Sequence, residues 1–475
     1  MAEIGGGRKV LARQIGMMAV ALFSAHCGQP IVAPVAPLPP ADPVVVQIWQ
    51  RATADDAAYR KLIELCDDIG HRISGSPQLD LAGAWAVKTL QQDGIATARL
   101  EPVLVPKWVR GQESLQLTLP RPLPLTMLGL GGSIATPPGG IKAQVLVVRD
   151  LDELKRQAVN AKGKIVLFNQ PMPPWTPEKG SLYGETVQQR VHGAQWAFEH
   201  GAVAALVRSV TAHSLNSPHT GGTRFDGQQG TPLPVAAISV EHAEMLARFA
   251  ARGIPTEVVL SMQAHTEAPV PSNNVVAEIR GSEKPEEIVV IAGHLDSWDV
   301  GQGAHDAGAG VVTAMQALAT LQKLGLKPKR TIRAVLFVNE ENGLAGGKAY
   351  FAAHKGEKHV ALVEADSGGF EPEGLGVEGK DAAQTAGLAA WAAPWLQRLA
   401  SVVPLKVVPG EGGADISPWL EARVPNFALA VHGAKYFDYH HTHADTVDKV
   451  DPQQLARCAA AMAVIAWQLA QEPPP

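Results

Sequence analysis

Cysteine is nearly missing from this chain: three occur in 475 residues. Cys27 closes an apolar leader, which leaves Cys66 and Cys458 for the body, both inside helical patterns. An exported protein could join them, but two buried free thiols are the expectation. An excess of positive charge is missing as well. With 41 Lys+Arg against 46 Asp+Glu the formal charge is -5. There is no basic patch, aromatic-interleaved stripe or phosphate-cradling Lys-Ser/Thr loop, so no nucleic-acid partner is expected. The leader's apolar stretch, residues 15–25, is too short to span a bilayer. No internal repeat appears.

What is present is enough apolar residue, 46% against 18% charged, to build a large core and two compact units. Ahead of them, Arg8, Lys9 and Arg13 precede the short apolar stretch and Cys27, an export signal over residues 1–27. Residues 28–43 form a proline-rich linker, expected to be extended. A cysteine at that junction suggests a lipoprotein anchored to a membrane through Cys27, although Ser24-Ala25-His26 is a poor acylation motif. Acylation, simple signal cleavage and an untargeted tail all stay open. The first two make the protein exported: periplasmic, an outer-membrane lipoprotein or secreted.

Five potential metal ligands follow in the second half: His294, Asp306, Glu341, Asp366 and His441. His294 ends the strand-like run 287–293, with Asp296 two residues on, placed to accept a hydrogen bond from the ring nitrogen that faces away from a metal. Asp306 sits in the glycine-rich stretch 301–310 that opens into a helix from Val311, so it can reach between two ions. His305 beside it is expected to line the site. Glu340 and Glu341 follow the strand-like run 332–338, one free to move protons and the other to bind metal. Asp366 ends the run 359–365, and His440-His441-Thr442-His443 offers three imidazoles where one is needed. Singly, these blocks read as a polar strand end, a helix-entry carboxylate, a solvated acidic turn or a surface histidine patch. Together they are the mixture of terminal imidazoles, terminal carboxylates and one bridging carboxylate that two hydrolytic zinc ions require.

These blocks, with Gly293 to Ala304, Leu324 to Thr331, Gly410 to Asp415 and His441-Thr442-His443-Ala444-Asp445, give the chain its likeness. It resembles the co-catalytic zinc aminopeptidase and carboxypeptidase superfamily, most closely its carboxypeptidase Q group, from about Val44 onward. The resemblance implies two Zn2+ per chain, one held by His294 and Asp366, the other by Glu341 and His441, with Asp306 bridging. It implies Glu340 as general base, Asp296 as the catalytic support of His294, and His440 and His443 near but not on the metals. In relatives the peptide bond after the bridging aspartate is often cis, and the sequence leaves the geometry of Asp306-Ala307 open. One departure is Ala307, where the family usually has an acidic or amide neighbour.

The fold expected from the strand–helix alternation and the resemblance is α/β, a mixed, mostly parallel sheet sandwiched by helices, with an inserted protease-associated-type α+β domain. The peptidase domain is expected in two parts, 44–114 and 271–475, around the insert 115–270, which lacks acid–histidine clusters and reads as a lid, a substrate-selecting domain or a structural addition. Helical patterns are expected from Asp55 to Gly94, broken at residues 74–77. Asp415 and Tyr436 are candidate pocket-shaping residues or hydrogen-bonded structural ones. The reaction implied is hydrolysis of dipeptides or short peptides with a free terminus by a di-zinc-bound hydroxide. The protein partner implied by analogy is a second copy of the chain. Two other functions stay open: a catalytically impaired binding protein on this scaffold, and a two-metal hydrolase of non-peptide bonds.

Overall fold

Three strands with no polar face decide where the core lies. In Lys284–His294, Arg330–Phe337 and Lys358–Glu364 nearly every residue is buried, the pattern of parallel strands covered on both sides. They pair in parallel, with His294 opposite Phe337 and Ala292 opposite Glu364, so their carboxyl ends are level. The computed structural model that shows this describes residues 42–474, except the side chains of Gln228 and Gln229. The leader, Cys27 and nearly all of the proline-rich linker lie outside the described residues.

The sheet has eight strands in the spatial order Arg99–Val109, His265–Ile279, Arg330–Phe337, Lys284–His294, Lys358–Glu364, Asn426–Val431, Pro372–Glu378 and Lys406–Pro409. Its centre is parallel, and both flanks include antiparallel pairs. On one face lie the helices Ala309–Lys323 and Pro452–Gln471, whose alanines (459–461, 463, 466, 470) let the backbones approach the sheet. On the other face Tyr350 and Trp419 pack against Val276, Val290 and Phe337. Capping follows the sequence: Ser76 Oγ accepts from Leu79 N ahead of Pro77–Gln92, and the Asp451 carboxylate accepts from Gln453 N and Gln454 N ahead of Pro452–Gln471.

A second eight-stranded sheet is built from residues 113–262, with the parallel strands Ile141–Val148, Ile165–Phe168, Ala204–Arg208 and Val235–Ile238 at its centre. The last strand of this sheet, Glu257–Met262, is followed by His265–Ile279, which pairs along nearly its whole length with Arg99–Val109. The boundary expected at 270/271 therefore falls inside one continuous strand. A further difference lies at the start. Helical pattern is expected only from Asp55, yet Pro43–Thr53 is already a helix, because Asp42 caps it, Pro43 starts it, and Val45, Ile48 and Ala52 form a buried stripe on the core. Cys66 and Cys458 are free and buried. Among the described residues no helix is long and apolar enough to cross a membrane.

Glycines set the closest approach between sheet and helix. A Cβ on Gly293 would lie 2.7 Å from the Gly310 carbonyl carbon, and one on Gly310 would overlap the Ala365 carbonyl oxygen. Backbone meets backbone there, between the strand that ends in His294, the helix after Asp306 and the turn before Asp366. Gly310→Ala is therefore expected to cost about 1–3 kcal/mol and lower the thermal midpoint; a midpoint equal to the parent's would show that this contact is not tight.

Candidate metal centre

At the level carboxyl ends, four separate turns put their side chains into one cavity, where open parallel sheets place their sites. Its volume is about 590 Å³, and Asp306, Glu340, Glu341, Asp366, Tyr436, His440 and His441 line it together with Tyr183, Gln188, Arg190, His192 and Arg224 from the second sheet's segment.

His294 Nε2 lies 2.9 Å from Asp366 Oδ1 and 3.3 Å from Asp306 Oδ1, while His441 Nε2 lies 3.1 Å from Asp306 Oδ2 and 3.0 Å from Glu341 Oε2. Asp306 thus turns one oxygen to each imidazole. The other ring nitrogens identify the tautomers: His294 Nδ1 is 3.0 Å from the Asp296 carbonyl oxygen and His441 Nδ1 is 3.1 Å from the Thr220 carbonyl oxygen. A carbonyl only accepts, so both Nδ1 atoms donate to it, Arg190 Nη1 standing farther from His441 Nδ1 at 3.4 Å, and in the neutral ring each Nε2 presents a lone pair to carboxylate oxygens. Lone pairs facing one another need a cation between them. In keeping with this, Asp306 Oδ2 and Glu341 Oε1 are buried without a hydrogen-bond partner among the described residues. Donors of this kind, two imidazoles and three carboxylates, suit zinc. Burial opposes charge on His441, yet Glu341 and Asp306 outweigh it and carry its pKa up to about 9; burial, then Asp306, carries Glu341 up to about 7. The cavity is short of positive charge.

The surrounding hydrogen bonds fix these groups. Asp296 differs from expectation: its carboxylate stands 3.8 Å from His294 Nδ1 and accepts instead from Glu340 N (3.0 Å), Glu341 N (3.4 Å) and Ser74 Oγ (3.4 Å). The amides of the acidic turn draw it away, and its own backbone carbonyl orients the imidazole. That turn bends at Asn339, which has φ 66, a conformation asparagine tolerates, and whose Oδ1 accepts from Ala345 N. Burial, then Asp366, Glu341 and Asp415, hold Glu340 well above the usual carboxyl range, against the opposing pull of His294.

Beside Asp306, Asp445 accepts from His305 N (2.7 Å) and Asp306 N (3.1 Å), polar support from a distant segment where the neighbour is Ala307. The Asp306–Ala307 peptide bond is cis. His305, expected to line the site, does not face the cavity. It stacks on Phe370 at 4.3 Å, accepts from Gly369 N and donates to the Lys449 carbonyl, which makes it structural. His440 lies 3.6 Å from Asp306 Oδ2 and stacks on His441. His443 is exposed, beside Arg110 and Asp299. Tyr436 lines the cavity, whereas Asp415 is fully buried.

Residues 274–466 match the model of peptidase family M28. Carboxypeptidase Q of Mus musculus is 44% identical over 87% of this chain and 85% of its own length, and that of Homo sapiens is 43% identical over 90% and 88%. The chain belongs to peptidase family M28. It is a metallopeptidase close to carboxypeptidase Q. A crystal structure of a peptidase M28 precursor from Shewanella amazonensis SB2B superposes with a TM-score of 0.84 at 35% identity, covering 91% of this chain and 98% of that one. A zinc aminopeptidase from Bacillus subtilis, at 19% identity and a TM-score of 0.63, shares the fold.

Two features of this M28 site were invisible in the sequence. Thr220, from the second sheet's segment, holds His441 at both ends, since Thr220 N also donates to the His441 carbonyl at 3.0 Å. Arg72 is fully buried and meets no carboxylate among the described residues: it donates to the carbonyls of Leu295 (2.7 Å), Gly70 (2.9 Å), Gln302 (2.7 Å) and Gly303 (3.0 Å), tying together the loop between His294 and Asp306. Only its place in the helical stretch before Ser74 was legible. Arg72→Met, similar in bulk but without donors, is expected to lower unfolding stability in urea by more than about 3 kcal/mol; a loss below about 1 kcal/mol would show that water serves those carbonyls equally well.

Proposed function

We propose that the chain is a two-zinc exopeptidase acting on dipeptides and short peptides with a free terminus. The observation that carries this is the pair of imidazoles whose Nε2 atoms face a shared carboxylate, with Glu340 beside them and bound to none of them. His294 and Asp366 would hold one ion, Glu341 and His441 the other, and Asp306 would bridge. When bound, the ions supply Lewis acidity, lowering the pKa of water and polarising the scissile carbonyl.

The chain's own groups do the rest. Glu340 lines the cavity, and its raised pKa keeps its carboxyl suited to taking a proton from attacking water and giving it to the leaving amine. Asp296 fixes the Glu340 amide, so the carboxyl group starts from a set position. Residues 115–270 act as a covering and substrate-selecting insert, because they supply Tyr183, Arg190, His192 and Arg224 to the cavity wall and Thr220 to His441. A wall of this kind excludes water and admits chain ends more readily than chain middles. In support, the carboxypeptidase Q relatives are named for cleavage at a carboxyl end.

The test is Glu340→Gln in protein loaded with zinc. Metal analysis should return two zinc ions per chain in both forms, and dipeptide turnover should fall by about 10²–10⁴-fold. Turnover equal to the parent's would refute the assigned base. Hydrolysis of phosphoesters with no peptide cleaved would refute the peptidase.

A further inference from the structure

One guanidinium holds together the segments that meet at His441. Arg110 directly follows the strand Arg99–Val109, where the chain leaves the first sheet for the second. Its Nε and Nη2 grip the Asp299 carboxylate in two bonds, 2.8 and 2.6 Å long. Nη1 donates to the Gly129 carbonyl, and Nη2 also reaches Thr220 Oγ1 at 3.3 Å. Thr220 Oγ1 in turn donates to the same Gly129 carbonyl at 2.7 Å, while Gly129 N donates to the Glu113 carboxylate at 3.0 Å. Asp299 belongs to the loop between His294 and Asp306; Gly129 and Thr220 belong to the segment of the second sheet.

Both ends of this cluster press on His441. Thr220 accepts from its Nδ1 and donates to its carbonyl. Trp298, the neighbour of Asp299, meets the His441 ring edge to face with centroids 5.6 Å apart. Trp108 packs against Trp298 in the same manner at 6.4 Å, and the Arg110 guanidinium lies over Trp108 at 5.1 Å. Trp298 and Val300 also enter the apolar core that Leu117, Leu128 and Leu260 form in the second sheet, so the loop is bound to that sheet by packing as well as by charge. The side chains of Arg110 and Asp299 are only 10% and 15% exposed. A buried pair returns little net stability, because taking two charges out of water costs about what their attraction regains. What it fixes is direction: a planar fork on a carboxylate allows one relative orientation of the two backbones.

We propose that Arg110 and Asp299 are positioning residues for one of the two metal positions: they seat Thr220 and Trp298 against the His441 ring and so set the affinity of the ion that Glu341 and His441 would hold. This rests on the two-zinc reading above and adds which distant residues tune one ion and not the other. Arg110 and Asp299 act through Thr220 and Trp298 and touch neither metal ligand oxygen nor substrate. His294 takes its orientation from the Asp296 carbonyl, two residues along its own chain. The ion that His294 and Asp366 would hold is therefore indifferent to the pair.

The test titrates zinc calorimetrically into the metal-free chain, with a chelator in competition, to obtain one Kd per ion; the melting midpoint of the metal-free protein is measured alongside. Thr220→Val removes the hydroxyl that joins Arg110 to this segment and keeps the carbonyl, the bulk and every charge. Thr220→Ser keeps the hydroxyl, and Arg110→Lys keeps the charge without the fork. In Thr220→Val and Arg110→Lys one ion should weaken by about ten- to a hundredfold and the other by less than about threefold. Thr220→Ser should bind both as the parent does. Anomalous scattering from Thr220→Val crystals, at a zinc concentration between the two Kd values, should show the position beside His441 depleted. Equal weakening of both ions, depletion beside His294, or a lower midpoint with both affinities unaltered overturns the assignment and leaves the two-zinc reading standing. No change in any variant overturns it as well. If Arg110→Lys does not fold, Thr220→Val decides. A parent that binds one ion or none overturns the two-zinc reading and this inference with it.

Discussion

Two hydrogen bonds to backbone carbonyls, from His294 Nδ1 to Asp296 and from His441 Nδ1 to Thr220, are what the rest of the site depends on. Each fixes a ring plane and, in the neutral ring, a tautomer, so each Nε2 lone pair is aimed at carboxylates, an arrangement that suits the cations proposed above. With the proton on Nε2 instead, either ring would simply donate a hydrogen bond to the same carboxylates. The glycine contacts between Gly293, Gly310 and the Ala365 carbonyl act at the same place. They bring the strand end, the helix after Asp306 and the Asp366 turn close enough for short side chains to converge.

The two carbonyls come from different parts of the chain. Asp296 lies on the sheet that carries the other acids, whereas Thr220 lies in the segment of the second sheet. That segment closes the cavity with Arg190, His192 and Arg224 and also orients one of the imidazoles. The segment proposed to select substrate and the sheet proposed to carry the chemistry therefore share a residue contact. Removing the insert would take away the partner of His441 Nδ1 in the proposed metal site, a stronger coupling than a simple lid would have.

Much of this was legible beforehand because it is local in sequence. The all-apolar runs before His294, Glu340 and Asp366 announce parallel strands, and ligands at their carboxyl ends follow from how such sheets are built. The glycines around Asp306 announce close approach. The choice of His441 over His440 rested on the spacing to Asp445, and the geometry puts His441 Nε2 between Asp306 and Glu341. What escaped was non-local. Arg72 works through backbone carbonyls, which no side-chain pattern records, and Thr220 is 221 positions from the histidine it holds. Asp296 was assigned to the His294 ring as the nearby acceptor for its second nitrogen; the amides of Glu340 and Glu341 compete for its carboxylate and win. His305 was placed at the site by adjacency, and aromatic stacking on Phe370 removes it. The helix Pro43–Thr53 was hidden by the prolines before it, although Asp42 and Pro43 are a cap and a first helical residue.

Anomalous diffraction at the zinc edge from a crystal of the zinc-loaded protein tests the central claim most directly. Two peaks are predicted, about 3.5–4 Å apart. One should be bound by Nε2 of His294, the other by Nε2 of His441, with an Asp306 oxygen on each. A single peak, ligation through Nδ1, or His440 in the place of His441 would contradict it.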